Sequence, residues 1–284
     1  MPETGTQHRH IDRAEQLESA ARLTAREGEG DEERQALFFE GPQEIGKSSL
    51  LLEIYERHSA NGVYFVDLSR TAAEHDVLES LAMQARRQEV AVPAYRTTRD
   101  RFAERSSSPQ VDMTNVRMRH ATFQLIAQGE DRGLRTASLS DALLDNLVAE
   151  ARRPVICLDS FEACARPMRD WLARSLLPNL LSRREVSVFV AGRQVPRLSH
   201  PDTALVRTLV LPPFDVRAVR EWIETLGFTS LTEKAAAIQE ANGGVPGLLH
   251  EFFADHTEPA NGGTARTQDR PIRAIADDQD SRDG

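Results

Sequence analysis

"ALFFEGPQEIGKSSLLLEIYER", residues Ala36 to Arg57, decides the fold of this 284-residue chain. Ala36 to Phe39 are apolar without alternation, the pattern of a strand buried on both faces. Leu50, Leu51, Ile54 and Tyr55 recur at helical spacing. Between strand and helix, Gly41-Pro42-Gln43-Glu44-Ile45-Gly46-Lys47-Ser48 fits the spacing GxxxxGK[ST]. The motif has a physical reading. Backbone N–H groups and a helix N-terminus face phosphate oxygens, Lys47 brings a positive charge to the β and γ groups, and Ser48 offers an oxygen to Mg²⁺. Gly41 through Ser48, with Ser49 in the first helical turn, are therefore the expected nucleotide contacts.

Working outward, "GVYFVDL" (Gly62 to Leu68), "PVICLD" (Pro154 to Asp159), "VSVFVAG" (Val186 to Gly192) and "LVRTLVL" (Leu205 to Leu211) read as further strands. Helical segments alternate with them. One runs from about Ala72 to Gln88, another is "SLSDALLDNLVAEARR" with Ser140 as its expected cap, and a third is "MRDWLARSLLPNLL". An N-terminal helix is expected to present Leu17, Ala20, Ala21 and Leu23 on one side. The polar segment 93–133 reads as irregular, an insertion. Alternating buried strands and helices predict an α/β fold, a P-loop NTPase with a parallel central sheet flanked by helices. After Pro212-Pro213-Phe214 only helical patterns follow, which predicts a small C-terminal helical lid. The expected organisation is a flexible tail over 1–9, the NTPase core over 10–212, the lid over 213–256 and a disordered tail over 257–284.

Composition narrows the function classes. A net charge of -9 and a pI near 5.5 argue against broad nucleic-acid binding. No run of about 18 apolar residues is present and the N-terminus lacks an apolar signal core, so a cytoplasmic protein with no membrane contact is expected. Cys157 and Cys164 belong to no metal-binding array and read as reduced, partly buried thiols.

Three further groups carry expected chemistry. Asp159 ends the "PVICLD" strand, where an acid holds Mg²⁺ directly or through water. Glu162 stands three residues on and is the candidate to orient or deprotonate an attacking water. Arg193, in "FVAGRQ", follows a strand expected beside that of Asp159 and is placed to read the γ-phosphate. "GGVPG", Gly243 to Gly247, lies between two lid helices.

Taken in order, these pieces resemble the STAND branch of the AAA+-like P-loop ATPases, which includes the NACHT proteins, over about residues His10 to Phe253. "IDRAEQL" is similar to that group's N-terminal box, which implies that Ile11 and Arg13 lie near the base. "DSFE" looks like the NACHT form of the metal strand, and "VAGR" like the sensor strand with its arginine. "GGVPG" resembles the lid's glycine-x-proline motif, which implies that Pro246 touches the adenine or ribose. One departure is Glu44, where many relatives carry glycine; a carboxylate there stands close to an anionic ligand. The resemblance implies ATP or ADP with Mg²⁺ as ligands and a slow or partner-stimulated ATPase acting as a signalling switch. Its partner would be a protein or a second copy met in the ATP state. The alternatives are a nucleotide-dependent DNA-handling ATPase and an adaptor that holds nucleotide without hydrolysing it.

Overall fold

A computed structural model describes residues 12–25, 34–59, 62–106, 119–150 and 153–256. The expected tails over 1–9 and 257–284, and Ile11, lie outside the described residues. Five short strands, β1 (Ala36–Glu40), β2 (Val63–Asp67), β3 (Val155–Asp159), β4 (Ser187–Gly192) and β5 (Val206–Val210), form one sheet in the order β2-β3-β4-β1-β5. Every pairing is parallel. Parallel neighbours need crossovers, and the intervening helices supply them. They are α2 (Lys47–Arg57), α3 (Glu74–Arg87), α4 (Pro93–Ser106), α5 (Arg119–Glu150), α6 (Arg166–Trp171) and α7 (Leu177–Leu181); α1 (Ala14–Ala25) precedes β1. This is the P-loop NTPase architecture, with the glycine loop joining β1 to α2.

Side-chain parity divides the interior. Phe38, Ile156, Leu158, Val188 and Val190 face α3, α5, α6 and α7, while Leu37, Phe39, Val155, Cys157, Phe189 and Ala191 face α1 and α2. The central strands β1, β3 and β4 are buried on both sides, which is why they read as continuous apolar runs. Period two then fixes Asp159: it shares the parity of Val155 and Cys157, the side on which α2 begins. Phe39 and Phe189 stack across β1 and β4 at 6.3 Å between ring centres.

The remaining helices, α8 (Val216–Thr225), α9 (Ala235–Ala241) and α10 (Pro246–His256), gather around a cluster of their own. Phe214, Trp222 and Phe253 form its aromatic centre, with edge contacts of 5.8 and 5.6 Å. Asp215 starts α8 by accepting from the Ala218 N–H at 2.7 Å.

Four local readings are corrected. Ser140 does not cap a helix, because α5 begins at Arg119 and runs through it. Segment 93–133 is not irregular: α4 and the start of α5 occupy it outside the undescribed 107–118, and Tyr95 is buried in the core with its hydroxyl donating to Glu79 at 3.0 Å. The pattern hid α4 because little of it is apolar. In α1 the buried set is Leu17, Ala20, Leu23 and Thr24, and Ala21 is exposed. The helix through Leu181 is broken by a π-helical turn over Leu172–Leu176, because Pro178 has no N–H to give and its ring crowds the preceding turn. Cys157 and Cys164 are free and buried.

Candidate functional site

The loop from β1 to α2 is built on two left-handed residues. Gly46 sits at φ 93° and Glu44 at φ 63°. Glycine accepts that region freely, whereas a residue with a Cβ pays about 1–2 kcal/mol. The departure at position 44 is therefore a strained backbone position as well as a carboxylate near the loop. Ile45, fully buried, anchors the loop to the core. Gly46 has no side chain to cap α2, so the first-turn N–H groups are free to meet an anion.

Lys47 is buried, and its ammonium donates to the carbonyls of Gly41 at 2.9 Å and Pro42 at 2.5 Å. Burial lowers its pKa, while the Glu162 and Asp159 carboxylates raise it. The lysine thus rests on its own loop.

Asp159 at the end of β3 is 6% exposed. It accepts from the Ser160 N–H at 2.8 Å and is hydrogen-bonded by the Ser48 hydroxyl. Burial lifts its carboxyl above the ordinary range; these two bonds act the other way, and the Asp67 and Glu162 charges add to the rise. Asp67, the register partner of Asp159 on β2, went unnoticed in the sequence because it ends an edge strand with no motif around it. It is occupied locally, accepting from the Ser69 hydroxyl at 2.6 Å and facing Arg70 at 3.1 Å.

A raised native pKa means that the folded state takes up a proton more readily than the unfolded chain. The cost of keeping Asp159 ionised is absent below about pH 3.9 and grows as pH rises from there through the folded value. Asp159→Asn is accordingly expected to stabilise the chain by about 0.5–2 kcal/mol at neutral pH in chelator. Melting curves against pH should show that gain vanishing in acid; a variant less stable than the parent at pH 7 would refute the reading.

Glu162 and Arg193 meet across the β3 and β4 ends. The Glu162 carboxylate accepts from the Arg193 backbone N–H at 2.9 Å and from its Nε at 3.2 Å. Gly192 allows this approach, since a Cβ there would lie 2.8 Å from Glu162 Oε2 and 2.4 Å from the Gln194 carbonyl. Gly192 is a site-forming residue that the sequence reading passed over. Its signal was a glycine at a strand end.

Arg13 packs between the phosphate loop and the C-terminal helices. It is 3% exposed, and its Nη2 donates at 3.0 Å to both the Ile45 and the Pro212 carbonyls. Its guanidinium stands 4.8 Å over the Phe214 ring. It clamps the phosphate loop to the chain entering the C-terminal helices.

The same helices touch the loop a second time. Pro246 opens α10, and the Gly247 N–H donates to the Glu44 carbonyl at 3.0 Å. A Cβ on Gly247 would fall 2.5 Å from the Glu44 Cβ, which a rotamer change cannot relieve. We expect Gly247→Ala to cost about 1–3 kcal/mol by overpacking. The double variant with Glu44→Gly, which removes the opposing atoms and the positive-φ strain, should recover most of it. Additive losses in a double-mutant cycle of melting free energies would show that the contact is not made.

No protein-family profile matches the chain. No curated protein matches it either. Among solved structures it is similar to the STAND protein with a tetratricopeptide repeat sensor, PH0952, from Pyrococcus horikoshii, at 13% identity and TM-score 0.47 over 81% of this chain and 28% of that one. The Aeropyrum pernix ORC2 protein in its ADP form is 13% identical, with TM-score 0.48 over 87% of this chain and 62% of its own. The RuvB Holliday junction branch migration motor of Thermotoga maritima is 12% identical, with TM-score 0.44 over 84% and 59%. This chain spans less than two thirds of each of these three structures, and the likeness is one of fold.

Proposed function

We propose that the chain binds ATP with Mg²⁺ at the loop Gly41–Ser48, hydrolyses it slowly or on stimulation, and uses the difference between ATP and ADP as a switch of STAND type. The observation that carries this is the placement of Ser48, in the first turn of α2, beside Asp159 at the end of β3, where the hydroxyl acts on the carboxyl. Their donor set fits Mg²⁺, being all oxygen. Among the described residues no group of three or more His, Cys, Asp or Glu side chains can hold a metal by itself. A magnesium ion suits such a sparse site, since it is held by one or two protein oxygens, with phosphate and water completing the shell. When bound, it neutralises charge on the β and γ oxygens.

The protein's own groups have distinct parts. Lys47 leaves the Gly41 and Pro42 carbonyls for phosphate oxygens, and the N–H groups of the first α2 turn, including Ser49, meet the anion. Glu162 exchanges Arg193 for a water molecule and accepts its proton, which frees Arg193 to face the γ-phosphate. Arg13, Phe214, Gly247 and Glu44 join the loop to α8–α10, so a change in the loop reaches those helices through direct contacts. Pro246 opens α10 one residue before Gly247, and the adenine or ribose is its proposed contact. The proposed boundary of the lid remains near residue 213, and its proposed partner is a protein or a second copy of the chain. No helix of the described residues is long and apolar enough to cross a membrane.

The switch requires contacts that differ between the two nucleotide states. Hydrogen exchange at the amides of 44–49 and 246–253 should therefore differ between Mg-ATP and Mg-ADP, with phosphate release measured on the same sample. Identical protection with both nucleotides would remove the switch. Binding without phosphate release would favour the adaptor.

A further inference from the structure

Next to the Glu162–Arg193 pair, a cleft of about 580 Å³ opens between the α6–α7 helix and the segment after β4. Four arginines line it: Arg166 and Arg169 on α6, Arg174 on the π-helical turn and Arg197 on the opposite wall. The acids lining it are Asp170 and Asp202, so the cleft carries a formal surplus of two positive charges on a chain whose net charge is -9. The arginines are not spent on internal pairs. Arg166 approaches Asp170 only at 4.0 Å with both side chains exposed, and the side chains of Arg169, Arg174 and Arg197 make no hydrogen bond or ion pair among the described residues.

The local backbone gathers these charges. In a regular α-helix, residues five apart point about 140° away from each other at 3.6 residues per turn. The π-helical turn, closed by the Leu177 N–H on the Leu172 carbonyl, widens the repeat and carries Arg174 toward the face of Arg169. Such like charges repel unless an anion lies between them. Guanidinium groups match phosphate oxygens in pairs, and the volume falls in the range of small-molecule sites, about 300–1,000 Å³.

We infer that this cleft is a second anion site, separate from the phosphate loop, which takes a pyrophosphate group, free or carried by a nucleotide. A bounded concavity suits a small ligand; an extended polyanion would need the basic surface to continue, and the excess of acids over the whole chain does not supply it.

Calorimetric titration of the full chain carrying Lys47→Ala, at constant ionic strength, tests the site apart from the phosphate loop. The probes are inorganic pyrophosphate and ADP. Pyrophosphate is expected to bind with Kd below about 1 mM, and the Arg169→Ala/Arg174→Ala pair to weaken it at least about tenfold. Arg197→Ala, on the other wall, should weaken it similarly, and it decides the matter if the double variant melts early. Tighter binding of ADP than of pyrophosphate, still lost in the arginine variants, would identify a nucleotide as the ligand. Absence of pyrophosphate and ADP binding in the Lys47→Ala chain, or binding indifferent to the arginines, would overturn the inference.

Discussion

Phosphate release from Mg-ATP is expected to fall by about 10²–10⁴ in Glu162→Gln, with nucleotide affinity kept. The size follows from the role: a general base taking a proton from water contributes that much, and glutamine has no basic oxygen to offer. Structure should survive the change. Glutamine can still accept from the Arg193 N–H through its amide oxygen, and Gly192 keeps the space above the β4 end open. What is lost is the charge that holds the Arg193 Nε at 3.2 Å, so Arg193 becomes freer to meet a γ-phosphate and binding of ATP should hold or tighten. Turnover equal to that of the parent would take Glu162 out of the chemistry. A drop in binding and turnover together would make it a ligand contact and leave the adaptor reading standing.

Lys47→Ala is expected to weaken ATP binding by at least about 100-fold. A hydrogen bond to a charged group contributes about 1.5–3 kcal/mol, each 1.4 kcal/mol is a factor of ten, and an ammonium on a triphosphate makes more than one such bond. The same ammonium donates to the Gly41 and Pro42 carbonyls, so the variant should also melt slightly earlier, as loop carbonyls lose a donor. A titration in Mg²⁺ should show the affinity loss at temperatures well below that melting point. Affinity within threefold of the parent would mean that the loop does not use Lys47 for phosphate, and the reading of the octet would fail with it.

Much of this site was legible from residue order, because the relevant physics is local. A loop that turns between a buried strand and a helix needs glycine at positive φ, which Gly46 supplies, and Lys47 and Ser48, the proposed phosphate and metal contacts, follow it directly. Asp159 was legible because an unbroken apolar run that stops at an acid is the pattern of a buried strand carrying a carboxylate to the C-terminal end of the sheet. The clamp made by Arg13 was not legible, because its partners, the carbonyls of Ile45 and Pro212, lie 32 and 199 residues away and leave no periodic trace. Gly247, though part of the quoted "GGVPG", and Gly192 are alike in this: each is required by an atom from a distant segment, Glu44 in one case and Glu162 in the other. Helix α4 escaped because pattern reading needs apolar residues to count, and most of the burial of that segment rests on Tyr95 and its neighbour Val92.

By itself, then, the sequence determined the strand and helix alternation, the phosphate loop and the identity of the acid at the end of β3, since each is a matter of local conformational preference and burial pattern. Tertiary structure alone decided that Glu162 is held by Arg193 and that Glu44 carries the C-terminal helices against the loop through Gly247. These are contacts between segments brought together by the β2-β3-β4-β1-β5 strand order. Their cause is spatial proximity after folding, which no window of neighbouring residues encodes.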